Sequence, residues 1–241
     1  MNLTAAPAGT AQASPSQTLS RGIRALEILA AAQNPMTIAE LADAMGVHRS
    51  VAYRILRTLE DHSLLVRDDA GRVQPGPGLA VLARGVSRSL QSAALPELTH
   101  LANTLDMTAF VAVWDHLDCI TLVTVEPRHS SATVAQHPGT RHPVSAGAPG
   151  IAIQSALTEA EWGQLAPGIP YRPEAADARR AGYSASHDEV IAGVSSLAAP
   201  VRVPGGRPAA LAVVYIRSAH DPATVGTALA ESAARIERQL A

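Results

Sequence analysis

Apolar residues recur three and four positions apart in the first third of the chain, most clearly in residues 46–65, GVHRSVAYRILRTLEDHSLL. A helix that buries one stripe of side chains has this i, i+3, i+4, i+7 spacing. The stripe consists of Ala52, Ile55, Leu56 and Leu59. The opposite face carries Arg49, Ser50, Tyr53, Arg54 and Arg57. The pattern predicts a helix whose polar face either is simply solvated or lies against a negatively charged partner.

Two more helices are predicted before this one. Ser20 is the expected N-cap of the first, and Asn34-Pro35 ends it. Thr37 and Glu40, three residues apart, form the capping-box pattern at the start of the second, which Gly46 ends. Two short helices joined by a tight glycine-containing turn, with a third in front, predict a helix-turn-helix.

A small hairpin and a connecting helix follow. Apolar residues on either side of Asp69-Ala70-Gly71 predict a β-hairpin, and a hairpin directly after the second helix of a helix-turn-helix is the wing of a winged helix. Pro75-Gly76-Pro77-Gly78 then breaks the chain. A helix from Leu79 to about Leu90 is expected to connect two domains.

The remaining pattern is that of an α+β domain. Helices are predicted at 94–106, 143–157 (after an initial loop), 158–165, 173–182 and 221–240, the last capped by Asp221 with Pro222 after it. Strands are predicted at 107–115, 119–127, 132–136, 194–203 and 209–217. Five or so strands with flanking helices predict a mixed antiparallel sheet able to hold a small molecule. The predicted organisation is a disordered leader (1–19), a winged helix-turn-helix domain (20–76), a linker helix (77–92) and an effector-binding domain (93–241).

Composition and charge narrow the possible partners. The chain is 47% hydrophobic and 17% charged over 241 residues, a normal globular balance, and no apolar run is long enough to span a membrane. Cys119 is the only cysteine, so a cytoplasmic location is expected. The net charge is −2, yet residues 20–90 hold nine arginines against seven acids, whereas residues 91–241 hold ten against fourteen. The N-terminal third is therefore the part expected to meet phosphate.

Several segments in the same order resemble the IclR-type family of bacterial transcriptional regulators. SRGIRALEIL, TIAELADAMGVHRSVAYRILRTLEDHSLLVRD and GRVQPGPGLAVLARG resemble its winged helix and linker. ARRAGYSASHDEVIAGVSSLAAPVR and GRPAALAVV resemble its effector domain. The resemblance implies a GAF-like α/β effector domain behind the winged helix, a homodimer or a dimer of dimers, a palindromic operator in double-stranded DNA and a metabolite effector. Action as a repressor is expected, with activation, which can use the same DNA-binding surface, as the alternative.

The polar face of the 46–65 helix suits the major groove of DNA. Arg49, Ser50 and Tyr53 are expected to reach base edges, because the N-terminal turns of a recognition helix enter the groove. His48, Arg54 and Arg57 are expected at phosphates. Arg67 and Arg72 on the wing are candidates for the backbone or the minor groove, with a salt bridge inside the hairpin to Asp68 or Asp69 as the alternative.

The resemblance also implies an effector pocket, and here the pattern is altered. In the family, backbone amides of a small-residue loop that opens a helix bind the ligand's carboxylate. The matching loop is 145–152, where Pro149 has no N–H, and Ser145 and Ile151 stand in place of the usual His and Lys. Across the pocket, Ser186 stands where an acidic residue is common in the family, Ser196 where Cys is common, and Ala212 and Val214 where Ser recurs. The predicted effector-binding residues are Arg141, Ala146, Gly147, Ala148, Gly150, Ser186, Val194, Ser196, Arg202, Ala212 and Val214.

These replacements predict an effector more apolar than a small keto acid, such as an aromatic or amide-like compound, because unpaired polar groups are costly to bury. Arg141 and Arg202 remain candidates to hold a carboxylate, and a pocket closed by its own side chains is the alternative.

No cofactor or metal is expected. Cys119 is predicted to be a buried, inert thiol, and His129, His137 and His142 match no standard zinc spacing. A small-molecule enzyme with an accessory helical domain is the second hypothesis, for which the sequence offers no nucleophile–base pair, P-loop or dinucleotide fingerprint.

Overall fold

The computed structural model describes residues 16–128, 133–216 and 220–241, and the chain divides into two units between Val86 and Ser87. The helices of the N-terminal unit are α1 (Gln17–Ala31), α2 (Ile38–Ala44), α3 (Arg49–Asp61) and α4 (Gly78–Ala83). Its strands are β1 (Leu65–Arg67) and β2 (Val73–Pro75), which pair antiparallel. Three helices followed by a hairpin form the predicted winged helix-turn-helix.

The N-cap predicted for α2 forms, whereas the N-cap of α1 differs from its prediction. The Thr37 hydroxyl accepts a hydrogen bond from the Glu40 N–H, and the Glu40 carboxylate accepts one from the Thr37 N–H, so the capping box at α2 forms. At α1 the cap is Ser16 rather than Ser20, because the helix begins one turn earlier. The Ser20 N–H donates to the Ser16 carbonyl as an ordinary helical bond.

The connecting helix also differs from its prediction. α4 ends at Ala83, and after a break at 84–87 the chain continues as α5 (Arg88–Leu105), which runs through Pro96. The apolar stripe of α5 continues on both sides of Pro96 into the core of the second unit. That packing outweighs the one hydrogen bond that the proline removes.

The C-terminal unit is built on a six-stranded sheet in the order β5-β4-β3-β8-β7-β6, antiparallel throughout. The strands are β3 (Thr108–Asp115), β4 (Asp118–Val125), β5 (Arg141–Pro143), β6 (Ser184–His187), β7 (Ser195–Val201) and β8 (Ala209–Tyr215). Besides α5, the helices are α6 (Gly147–Ser155), α7 (Glu159–Leu165), α8 (Pro173–Ala181) and α9 (Pro222–Leu240). This confirms the predicted α+β class.

Alternating residues of each strand place one core on either side of the sheet. Ala109 and Val111 of β3 pack in a cluster with α5 and α9, whereas Phe110, Ala112 and Trp114 pack in a second cluster with α6 and α7. The strand predicted at 132–136 is wrong within its described part, 133–136, where Gln136 is tied to Thr121 by a side-chain hydrogen bond instead of a strand ladder. The edge strand beside β4 is β5 instead.

No helix in the described part of the chain is both long and apolar enough to cross a bilayer.

Candidate DNA-binding surface and effector cavity

The polar face of α3 is a separate surface from its core stripe. Ala52, Ile55, Leu56 and Leu59 are buried, as the spacing predicts, and they pack against α1, α2 and the hairpin. Arg49, Ser50, Tyr53, Arg54 and Arg57 are all exposed on the other side of the helix. Among the residues that the structure describes, Arg49, Arg54 and Arg57 have no ion-pair partner. Three unpaired cations on one helix face give that face a local positive charge.

The start of α3 is fixed by the predicted phosphate contact His48. Its imidazole Nδ1 accepts a hydrogen bond from the Ser50 N–H at 3.3 Å and lies 2.9 Å from the Ser50 hydroxyl. Because the backbone N–H donates to Nδ1, the proton of the neutral ring lies on Nε2. His48 is therefore the N-cap of the helix, with its remaining ring N–H available to an acceptor.

The wing arginines are held by neighbours in the N-terminal unit. Arg67 donates to both carboxylate oxygens of Glu60 on α3 at 3.0 and 3.1 Å, and its guanidinium lies 5.9 Å from the centre of the Tyr53 ring. Arg72 donates to the Pro35 carbonyl at 3.3 Å. The alternative prediction, a salt bridge from Arg67 or Arg72 to Asp68 or Asp69, is therefore wrong. Asp68 instead accepts backbone N–H groups of the turn. Of the two wing arginines, Arg67 is the one whose charge is largely neutralised, by Glu60.

A small cavity of about 40 Å³, partly open to solvent, lies between the sheet, the start of α6 and the loop 188–194. Its lining is Phe110, Gln136, His142, Gly147, Pro149, Ser186, Glu189, Val190, Ile191, Val194, Ser196 and Val214. Five of the predicted effector residues are therefore in the lining: Gly147, Ser186, Val194, Ser196 and Val214. Ala146, Ala148, Gly150 and Ala212 lie in the adjoining α6 start and β8 without lining the cavity.

Arg141 and Arg202 do not line this cavity, so the expectation that they hold a carboxylate in it is not met. On β5 the buried residue is His142, and side chains alternate, so Arg141 points away toward Asp115 and Asp118 at 3.8 and 3.6 Å. Arg202, after β7, lies beside Glu237 of α9, in a different surface groove.

The start of α6 has its backbone N–H groups occupied by the chain itself. The Gly147 N–H donates to Glu189 Oε2 at 2.9 Å, and the Ala148 N–H donates to Ser186 Oγ at 2.8 Å. Gly147 must be glycine, because its φ is +79° and a Cβ there would lie 2.9 Å from Val190. The loop 188–194 is thereby joined to the helix that forms the opposite wall.

An ion pair fixes Glu189 in this position. Arg172 donates to both Glu189 oxygens, at 2.5 and 3.2 Å, and to Glu174 at 2.7 Å. These guanidinium bonds, with the Gly147 N–H, hold the pKa of Glu189 below its ordinary value despite partial burial. Sequence reasoning missed both Arg172 and Glu189, since they come from distant segments that only the fold brings together.

The remaining polar lining is uncharged. His142 is buried, and the loss of solvation lowers the pKa of its imidazole, so the ring is neutral at pH 7. Its Nδ1 lies 3.1 Å from the Pro143 carbonyl, which places the proton on Nδ1 and leaves Nε2 as an acceptor. Gln136 donates to Thr121, and Ser196 donates to the Val213 carbonyl. Glu189 is thus the charged residue of the lining.

Elsewhere, burial raises the pKa of the Cys119 thiol to about 12, as expected of an inert cysteine. His129 of the histidine trio lies outside the described residues. Among those described, no three His, Cys, Asp or Glu side chains are grouped as metal ligands.

The two units define a class of protein: a winged helix-turn-helix joined to an α/β domain that contains a partly open cavity. Residues 18–69 match the model of the IclR helix-turn-helix domain. A segment of 100 residues is 31% identical to the HTH-type transcriptional regulator Rv1719 of Mycobacterium tuberculosis. That match covers 41% of this chain and 39% of the relative, so it spans well under half of either protein.

Solved structures extend the likeness over the whole fold. An IclR transcriptional regulator from Alicyclobacillus acidocaldarius is 24% identical with a TM-score of 0.78, over 95% of this chain and all of that one. An IclR homolog from Microbacterium hydrocarbonoxydans, solved with 4-hydroxybenzoate, gives the same identity and TM-score over 93% of this chain and 99% of that one. The chain thus contains a helix-turn-helix domain of the IclR type, and its fold is similar to that of IclR structures over nearly its whole length.

Proposed function

We propose that this protein is a sequence-specific transcriptional regulator that binds double-stranded DNA through α3 and responds to a small molecule bound in its C-terminal unit. The observation that carries the proposal is the α3 surface, where Arg49, Arg54 and Arg57 are exposed and unpaired beside a fully buried core stripe. A merely solvated face needs no such excess of one charge, and DNA supplies the matching phosphates.

Within that surface, Arg49, Ser50 and Tyr53 are proposed to read base edges, with His48, Arg54 and Arg57 at phosphates. Arg49 is the first residue of α3, at the end that enters the groove in helix-turn-helix complexes. Arg72 is the better candidate of the two wing arginines, because the Arg67 charge is already paired with Glu60.

We further propose that the effector is relatively apolar and acts in the cavity beside α6. Phe110, Val190, Ile191, Val194 and Val214 supply most of its apolar wall. Aromatic and branched side chains favour a hydrophobic body in the ligand, with few polar groups to orient it. The structural relative from Microbacterium was solved with 4-hydroxybenzoate, which is an aromatic compound.

We propose a homodimer on a palindromic operator, with repression as the outcome of binding. Apolar side chains that a partner would cover are exposed in the N-terminal unit: Leu19 and Ile23 on α1, and Val81 and Leu82 on α4, are 50–67% exposed. A two-fold dimer matches a two-fold operator.

The test is selection of DNA by the full-length protein from a random duplex pool, followed by anisotropy titrations of the selected sequence. The proposal predicts a palindromic consensus and a Kd that rises steeply with salt. Replacing Arg49, Arg54 and Arg57 together by alanine is expected to abolish the selection. Arg238→Ala, which removes an exposed arginine from α9, is the matched control and should leave it unchanged. Failure to enrich any sequence would refute the proposal.

A further inference from the structure

The N-terminus of α6 has no donor left for a ligand. The Ala146 N–H donates to the Pro143 carbonyl, the next two N–H groups donate to Glu189 and Ser186, and Pro149 has none. Helix N-termini bind anions through free N–H groups of the first turn. Here each of those groups already has an acceptor inside the chain, so a carboxylate that entered the cavity would find no free backbone donor.

The charges around the cavity also oppose an anion. Arg172 is bonded to this wall through Glu189, and its guanidinium also donates to Glu174 and the Ser145 carbonyl. One positive charge against two carboxylates leaves this cluster net negative. The carboxylate that faces the cavity is that of Glu189, which is 29% exposed, and its lowered pKa keeps it ionised at neutral pH. A second carboxylate beside it would be repelled.

From these contacts we infer that the Glu189 carboxylate occupies the position at α6 that the carboxylate of a ligand would otherwise take. The cavity therefore binds an uncharged, largely apolar effector and excludes carboxylates. The inference rests on the proposed effector cavity and names the ligand class of that site. Glu189 is then the residue that sets ligand charge. Without its side chain, the Gly147 N–H and the Arg172 N–H groups that bond Glu189 would be free to hold a carboxylate from outside.

The experiment compares benzamide with benzoate, two probes of nearly the same shape that differ in charge. Binding to the full-length protein is measured by calorimetry and by tryptophan fluorescence, since Trp114 and Trp162 are stacked at 4.8 Å in the cluster that includes the cavity residues Phe110 and Val214. The wild-type protein is expected to bind benzamide about tenfold or more tightly than benzoate. This ratio reflects one charge-assisted contact denied to the anion.

Glu189→Ala is expected to tighten benzoate binding by about tenfold, with benzamide changed by less than about threefold. Glu189→Gln keeps an acceptor for the Gly147 N–H and removes only the charge, so it should shift the ratio in the same direction even if the alanine variant folds poorly. Glu174→Ala is the matched control: it removes the other carboxylate on Arg172 without touching α6, and should leave the preference for benzamide in place.

Each outcome decides the inference. Benzoate binding as tightly as benzamide to the wild type, an unchanged ratio in both Glu189 variants, or no binding of either probe to any variant would overturn it. The DNA selection described above does not depend on these probes. A protein that selects a palindromic operator but fails here therefore retains its proposed function as a regulator and loses only the assigned ligand class.

Discussion

Replacing Arg49 by alanine isolates one base-reading contact on α3. Arg49 is exposed, has no ion-pair partner among the described residues, and is the first residue of a helix whose cap is supplied by His48. Its side chain therefore contributes little to folding, and alanine preserves the helix. An effect on DNA affinity can then be read as a lost contact and not as partial unfolding.

The expected cost is that of one bidentate arginine–guanine contact, about 1–3 kcal/mol, or roughly five- to 150-fold in Kd. The assay is fluorescence anisotropy against the selected operator and against variants carrying every base at each position of a half-site. Arg49→Ala should flatten discrimination at one base pair. Arg57→Ala, two turns further along the same face, should weaken all sequences alike and reduce the salt slope by about one. If Arg49→Ala also weakened every sequence equally, the base-reading role would be refuted.

Three further perturbations test the fold and assembly. Gly150→Ala should lower the free energy of unfolding by about 1–3 kcal/mol in urea titrations, because its Cβ would lie 2.1 Å from a backbone carbonyl oxygen; Gly163→Ala, with nothing within 4 Å, should not destabilise α7. Glu97→Gln should cost about 1–3 kcal/mol at pH 7, because the Glu97 carboxylate accepts three hydrogen bonds from Nε and Nη2 of Arg235 between α5 and α9. That pairing holds the pKa of Glu97 below its ordinary 4.5, so the wild type's advantage is present above pH 4.5 and is lost as the pH falls through the lowered pKa; a constant difference would contradict this. Ile23→Asp should convert the proposed dimer to a monomer in sedimentation velocity, and an unchanged mass would exclude α1 from the interface.

The helix-turn-helix could be predicted closely because its signals are local. The apolar spacing of α3 and the capping box at Thr37 each lie within a few turns of one helix, and both form as predicted. The start of α1 could not be settled in this way. Ser16 and Ser20 are four residues apart, either can accept from the first turn, and the choice depends on packing of Ala25 and Leu29 against other helices.

The cavity was only partly predictable, for two separate reasons. The alternation of a three-residue edge strand is too short to show which side faces inward, so Arg141 was assigned to the cavity where His142 lies. The pairing of Gly147 with Glu189 joins residues 42 positions apart, and no local pattern specifies it. Sequence showed that Pro149 weakens an anion site at α6, but only the fold shows which acceptors occupy the rest of it.

The α3 surface and the cavity beside α6 differ in whether their polar and charged groups already have partners. On α3, cations such as Arg54 and Arg57 are left without partners at an exposed surface, so their charge is available to an incoming polyanion. Around α6, the Arg172 guanidinium and the backbone donors of the first turn already have acceptors, so an incoming ligand gains little from electrostatics. Its binding energy must come from apolar area removed from water, about 25 cal/mol per Å². Val190 and Ile191 are 48% and 46% exposed beside the cavity and are the side chains that such a ligand would cover. Glu189 anchors the loop 188–194 to α6. An effector that covers Val190 and Ile191 therefore acts directly on the loop that joins the two walls of the cavity.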